Sequence, residues 1–179
     1  MIQDMVNFTN LVVQDEESTL VDLNYITEKI LNEYKGEGSK EPIVRRDLLP
    51  VLIGFPSQLY MLFRAIIDNS IKFAKPGEHP VIHFVYEEVQ NVVTNGQRGA
   101  GKPYHTITVE DKGIGFDNEF ADKIFIIFQR LHTQQSQYRG KGMGLAIAQR
   151  VMANHNGFIV AKGELGVGAT IRMFFPATD

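Results

Sequence analysis

The run from Ile107 to Asp111, followed at once by Lys112-Gly113-Ile114-Gly115-Phe116, constrains the fold more than any other stretch. Ile107 and Val109 alternate with polar residues, the period of a strand with one buried face. That strand ends on a carboxylate. Just beyond it stand two glycines two apart, where a backbone can take positive φ and a ligand can approach with no Cβ in the way. An acid held beside such a turn can accept a hydrogen bond from an exocyclic amine. The same run also reads as a strand and its turn, with no further task. Phosphate-binding parts elsewhere in the chain decide between the two.

Three stretches supply such parts. Pro56 opens a helix in which Leu59, Leu62, Phe63, Ile66, Ile67, Ser70 and Phe73 form a broad apolar stripe, and Pro76-Gly77 ends it. Ala65, Asn69 and Lys72 fall on the flank of that stripe. The Asn69 carbonyl can ligate Mg²⁺, which prefers oxygen and keeps several waters, or it can be an ordinary helix amide. Lys72, one turn on, can reach a phosphate, and Phe73 can contact a base or fill core. Gly140-Lys141-Gly142-Met143-Gly144 precedes a second helix, Leu145 to about Asn154. Alternate glycines before a helix leave N–H groups and the positive end of the dipole facing outward, a phosphate cradle; a bare hinge is the other reading. The spacing is neither that of a Walker loop nor that of a dinucleotide fingerprint. Phe125 and Phe128 can anchor a loop from which Arg130 reaches a terminal phosphate. Gly166-Val167-Gly168-Ala169-Thr170 is a tight link between strands, beside the pocket or purely structural.

The remaining segments place these parts. Leu20-Val21-Asp22-Leu23 leads into Ile26, Ile30 and Leu31, which repeat at helical spacing to about Tyr34, a helix that Asp22 or Asn24 can cap. Pro42 to Arg46 and Leu49 to Ile53 read as two short strands paired around an Arg-Arg-Asp turn. Val81 to Val89 and Tyr104 to Asp111 form a hairpin with a polar, glycine-rich tip. Asp117 to Gln129 is partly helical, and Leu131 to Gly140 is polar and poor in core formers, as lids are. Phe158 to Lys162 and Ala169 to Phe175 close the chain. Helices segregated from mostly antiparallel strands define an α+β domain: a two-layer α/β sandwich with a mixed sheet covered on one face.

At 179 residues and 44% hydrophobic the chain suits one domain, residues 19–179, with residues 1–18 as the tail of a longer helix or a frayed end. Its formal charge of −3 offers no general attraction to nucleic acid or acidic membrane. Cysteine is absent, which removes disulfides and thiol chemistry. There is no signal peptide and no run long enough to span a bilayer, so a reducing, cytoplasmic setting is expected. His79, His83, His105, His132 and His155 form no metal pair and read as solvated or capping residues.

Taken in order, these pieces resemble the catalytic and ATP-binding domain of a two-component sensor histidine kinase. The wider superfamily shares the Bergerat ATP-binding fold with type II topoisomerases, a heat-shock chaperone and mismatch-repair clamps. The likeness runs from about Val21 to Pro176. Phe63 to Phe73 resembles the asparagine box, Asp111 to Phe116 the first glycine box and Ile124 to Leu131 the phenylalanine box. Gly140 to Leu145 resembles the second glycine box and Gly166 to Gly168 the last. The runs Gln129 to Thr133 and Gly144 to Ile147 are most like kinases with phytochrome-type or PAS-type sensors.

The resemblance implies that Asn69 ligates Mg²⁺ and that Asp111 accepts from the adenine amine. It implies phosphate contacts from Lys72, Arg130 and the amides of Gly142, Met143, Gly144 and Leu145. Phe73 and Ile114 would line the adenine pocket. Gly113, Gly115, Phe116, Gly140, Lys141 and Thr170 complete the implied ATP contacts, with a lid over about 117–141. The implied partners are a histidine-bearing dimerisation domain and a response-regulator receiver domain, with no nucleic acid and no membrane contact by this portion, although the parent protein can be membrane-anchored. Two departures stand out. Ala65 occupies a place where many kinases carry a second asparagine and the ATP-hydrolysing relatives a glutamate, so no base for water is available there. Lys141 replaces a small residue. No histidine sits in a phosphoacceptor setting, so kinase action requires a histidine supplied elsewhere. A nucleotide-binding module without kinase activity is the alternative that Ala65 keeps open.

Overall fold

The computed structural model describes residues 16–36, 41–90, 93–94, 97–98, 103–126 and 142–177. Elements follow in the order β1 (Thr19–Asp22), α1 (Leu23–Asn32), β2 (Ile43–Arg46), β3 (Val51–Gly54), α2 (Pro56–Lys72), β4 (Val81–Val89), β5 (Val93–Thr94), β6 (Gln97–Arg98) and β7 (Tyr104–Asp111). Two 3₁₀ turns, Asn118–Phe120 and Lys123–Phe125, lead to α3 (Gly144–Asn154), β8 (Phe158–Glu164) and β9 (Gly168–Pro176).

The main sheet has the order β2-β4-β7-β9-β8, and only the β2–β4 pair is parallel. The sheet is thus mixed and mostly antiparallel, as expected. Its central strand, β7, pairs Val109 with Phe84 on one side and with Ile171 on the other. Strand alternation places Ile82, Phe84, Ile107, Val109, Ile171 and Met173 on one face. All of these are buried in one core with Leu59, Phe63, Ile66 and Ile67 of α2 and Ala148, Val151 and Met152 of α3. On the other face Glu110 meets His83 at 3.5 Å. Burial of the apolar stripes against this single face holds the two layers together.

The two short strands do not pair with each other, contrary to the sequence reading. β2 joins the main sheet beside β4, whereas β3 pairs antiparallel with β1 in a separate ribbon. The lead-in at Thr19–Asp22 is a strand of four residues, too short for alternation to mark it. Asp22 then caps α1 by accepting from the Asn24 N–H at 2.8 Å. The Asn24 side chain instead clips the chain at Leu49, accepting from its N–H at 2.9 Å and donating to its carbonyl at 2.8 Å.

α2 begins with Pro at N1 and no cap from Phe55. Glu16 takes that place from a distance: its carboxylate accepts from the Ser57 N–H at 2.8 Å and the Ser57 hydroxyl at 2.6 Å. A negative group at a helix N-terminus also meets the dipole favourably. α1 and α2 are further tied by polar groups. Tyr34 donates to Asp68, Arg64 bonds Glu33, and Tyr60 donates to Glu33 at 2.6 Å. Burial and the neighbouring Asp68 push the Tyr34 phenol well above its ordinary range, so it stays a donor.

Candidate functional site

Three elements end together: the C-terminus of α2, the end of β7, and the β8–β9 turn. Beyond α2, the Phe73 carbonyl accepts from the Ile114 N–H at 2.9 Å, and the Ile114 carbonyl accepts from the Gly166 N–H at 2.8 Å. The first glycine turn is therefore clamped between the helix end and the turn of the last hairpin. Gly115 has φ +64, and a Cβ there would lie 1.9 Å from the Glu164 carbonyl oxygen. Gly168 has φ +149, and a Cβ there would lie 1.9 Å from the Asp111 carbonyl oxygen. These glycines are required by backbone-to-backbone approach. Phe116 is buried against Gly163 of β8 and so acts as a wedge under the turn.

Asp111 stands at the centre of this junction. Its Oδ1 accepts from the Gly113 N–H at 2.9 Å and the Ala169 N–H at 3.2 Å. Its Oδ2 lies 3.4 Å from the Ser70 hydroxyl, which also has the Ile66 carbonyl at 3.2 Å as an acceptor. Burial pushes the carboxyl up from its ordinary range, and the Gly113, Ala169 and Ser70 bonds oppose that shift. One oxygen is thus committed to the turn, while the other keeps acceptor capacity for an incoming donor. In the sequence Ser70 falls on the apolar stripe of α2. A hydroxyl among seven otherwise apolar positions was the available signal.

Asn69 and Lys72 lie on the α2 flank beside Ser70, both half-buried. The Asn69 amide makes no hydrogen bond among the described residues. The Lys72 ammonium sits 4.5 Å from the centre of the Phe73 ring. Further along the same flank, Ala65 faces the start of α3, where a Cβ on Gly144 would lie 3.6 Å from that of Ala65. α3 has no side-chain N-cap, and Gly142 just before it has φ +68. The first-turn amides of α3 and the asparagine flank of α2 are therefore neighbours. Phe125 is buried in the core, as its anchoring reading requires.

Thr170 is a correction. It pairs with Glu110, whereas Ala169 pairs with Asp111. Alternation along β9 puts the Thr170 side chain on the sheet face opposite the Asp111 carboxylate. Ala169 is the residue brought to the site, through its N–H. Of the histidines, His155 is a cap rather than a solvated residue: it ends α3 as its C-cap and is half-buried. Its Nδ1–H donates to the Val151 carbonyl at 2.8 Å and its Nε2 accepts from the Phe55 N–H at 3.0 Å. The expectations for Phe128, Arg130, Gly140 and Lys141, and for the lid beyond Ile126, lie outside the described residues.

Whether Mg²⁺ fits here follows from the donors present. Among the described residues no group of three His, Asp or Glu side chains could hold a metal. Asn69 offers one neutral oxygen. That donor set suits Mg²⁺, which leans on water and substrate phosphates. No helix among the described residues is long and apolar enough to cross a membrane.

An α+β sandwich in which an acid-bearing strand end, a glycine turn, an amide-bearing helix flank and an open helix N-terminus converge is built as a nucleotide-binding domain. Comparison with known proteins gives that class a family. The profile described as "Histidine kinase-, DNA gyrase B-, and HSP90-like ATPase" matches residues 54–179, and the chain belongs to this family. It is 32% identical over 177 residues to Cyanobacterial phytochrome A of Nostoc sp., covering 98% of this chain and 21% of that protein. It is 27% identical over 183 residues to Sensor protein kinase WalK of Staphylococcus saprophyticus, covering 98% of this chain and 28% of that protein. The chain thus spans less than a third of either curated relative. Among solved structures, Mycobacterial sensor histidine kinase MprB superposes with a TM-score of 0.70 at 20% identity, covering 88% of this chain and 97% of that one. Full-length ShkA in complex with AMPPNP gives a TM-score of 0.72 at 21% identity, covering 99% of this chain and 35% of that one. The fold is that of histidine kinase catalytic domains, and the family implies ATP as ligand.

Proposed function

We propose that this domain binds Mg-ATP and donates the γ-phosphoryl group to a histidine on a dimerisation domain of its parent kinase, which in turn serves a response-regulator receiver. The observation that carries the reading is the half-buried Asp111 carboxylate, with one oxygen committed to the Gly113 and Ala169 amides and the other turned to Ser70. An adenine amine is the donor such a group suits. Asn69 would hold Mg²⁺, whose charge, when it is bound, offsets that of the phosphates. Lys72 would leave the Phe73 ring for a phosphate oxygen, and the amides of Gly142 to Leu145 would receive the phosphates at the α3 N-terminus. Phe73, Ile114 and the Gly113-to-Phe116 turn would enclose the base. Arg130, Gly140 and Lys141 would approach the phosphates from the lid. Every contribution is positioning and charge neutralisation, with no covalent step on this domain. We place the ATP-binding portion at about residues 19–179, acting at the cytoplasmic side of signalling.

Calorimetry with a non-hydrolysable ATP analogue, with and without Mg²⁺, tests the binding half. Phosphotransfer to an added histidine-bearing dimerisation domain tests the catalytic half. Binding without Mg²⁺ dependence or transfer would favour the second reading, a non-catalytic nucleotide-binding module. One observation favours that reading: Ala65, packed beside Gly144, contributes no polar group where two facing helices could otherwise hold water or metal. Absence of any binding heat at millimolar analogue would overturn both.

A further inference from the structure

Strands β4 and β7 carry two directly opposed histidine–glutamate pairs, one on each face of the sheet. His83 stands opposite Glu110 on the open face, and Glu88 stands opposite His105 on the face that the helices cover. The first pair meets at 3.5 Å. The second pair has a third member. Tyr86 lies two residues before Glu88, hence on the same face, and donates its hydroxyl to Glu88 Oε1 at 3.0 Å. The same hydroxyl oxygen is 2.9 Å from His105 Nδ1. His105 Nδ1 and Glu88 Oε1 are 3.9 Å apart. A phenol oxygen, a carboxylate oxygen and an imidazole nitrogen thus form one compact triangle. Donors held by a single ion at about 2.1 Å stand about 3.0–3.4 Å apart in octahedral or tetrahedral geometry, so small side-chain shifts fit these three around one centre.

The fold holds the donors in place. Tyr86 packs against the edge of the core, and its N–H donates to the Asp47 carboxylate at 3.1 Å. The Tyr86 and His105 rings stack with centres 6.0 Å apart. The Glu88 side chain is 66% exposed, so an ion can enter from water. We propose that Tyr86, Glu88 and His105 form a site for a divalent transition ion of the Zn²⁺ or Cu²⁺ class, with water completing its coordination. Imidazole suits these ions, whereas Mg²⁺ takes oxygen donors, so this ion is chemically distinct from the one assigned to Asn69. Burial and the bond to Glu88 push the Tyr86 phenol up from its ordinary range, so its proton stays until an ion displaces it. The bound ion ties β4 to β7 at the end of the hairpin away from Asp111, about 20 Å along β7. No part of this depends on nucleotide. Strand register, not sequence spacing, brings the three donors together.

Titration of the full chain, free of any polyhistidine tag, with Zn²⁺ and separately with Cu²⁺ tests the site. Equilibrium dialysis and calorimetry should give one ion per chain at micromolar concentration with release of a proton, and excess Mg²⁺ should not displace it. Cu²⁺ should also bring a phenolate-to-copper charge-transfer band in the visible range. His105→Ala and Glu88→Gln should each weaken binding by an order of magnitude or more. Tyr86→Phe should weaken it and remove the band. His83→Ala, in the pair whose face Tyr86 does not share, should bind as the parent does. Circular dichroism checks that each variant keeps the fold, and the band is read on the unsubstituted chain, so the test stands even where a variant does not fold. No binding of either ion at submillimolar concentration overturns the proposal, as does a copper complex without the band. Parental affinity in Tyr86→Phe, displacement by Mg²⁺, or loss of the ion in His83→Ala overturns it too.

Discussion

Asp111 is a carboxylate with two separate tasks, one per oxygen. Oδ1 closes the turn through Gly113 and Ala169, and Oδ2 is turned to Ser70, on the side where we propose that the adenine binds. Asp111→Asn therefore damages more than one thing, since the new amide NH₂ would face either two N–H donors or the incoming amine. Loss of a charge-assisted hydrogen bond of this kind is worth about 1.5–3 kcal/mol, so calorimetry should show ATP affinity lower by an order of magnitude or more. Unchanged affinity would mean the base binds elsewhere. The direction of the Asp111 shift gives a pH dependence as well. Its carboxyl is raised, so protonation begins at higher pH than for an ordinary carboxylate. A protonated Asp111 is a poorer acceptor. Affinity for adenosine, which has no phosphate to titrate, should fall as pH drops toward that range, and Asp111→Asn should flatten the profile. Arg130→Ala, by contrast, should slow transfer to an acceptor domain more than it weakens binding.

At the scale of elements, the glycines divide into those that backbone demands and those that only a dihedral favours. Gly115 and Gly166 both have positive φ, +64 and +75. At Gly166 an added Cβ meets nothing within 4 Å, whereas at Gly115 it meets Glu164 backbone. Gly166→Ala should cost about 1–2 kcal/mol, the left-handed penalty alone. Gly115→Ala should cost distinctly more, about 3 kcal/mol or above, because two backbones must also part. Urea unfolding of the two variants measures the difference; equal costs would mean the clamp yields without strain. This interlock also shows what was legible beforehand. The strands β4, β7, β8 and β9 and the helix α2 could be read because each carries a long, regular pattern. The pairing of β2 and β3 could not, because four-residue strands carry no register and adjacency in sequence suggested a hairpin that tertiary packing overrode. Thr170 was misplaced by one residue, and in a strand one residue changes the face. Asp111, Asn69 and the glycine turn stand out as candidates by local chemistry, whereas the partnership of Asp111 with Ala169 spans 58 residues and leaves no local trace.

For the molecule as a whole, His155 joins the β3–α2 junction, the end of α3 and β9. Through Nε2 it holds the Phe55 N–H between β3 and α2, and through Nδ1 it closes the end of α3. Its ring meets Phe55 edge-on at 5.2 Å and Phe175 of β9 at 6.1 Å. Both nitrogens are used in the neutral form, so a second ring proton would point at the Phe55 N–H, donor against donor. Burial, the larger influence, lowers the imidazole pKa below 6.5, while the Val151 carbonyl and Glu16 pull the other way. The sign follows from linkage. Above the unfolded value neither state is protonated and the contribution is whole; as pH falls below it, the unfolded chain gains a proton that the native fold resists. Stability should therefore decline between about pH 7 and the lowered native value, over a range where ordinary carboxylates stay charged. Urea midpoints at about pH 7.5 and about pH 5.5 bracket that window. His155→Gln can still accept from Phe55 and donate toward Val151 but cannot titrate there. It should be less stable than the parent at the higher pH yet show a smaller loss between the two. An equal loss in both proteins would mean that the acid sensitivity does not come from His155, which would then be a packing residue whose protonation the fold tolerates.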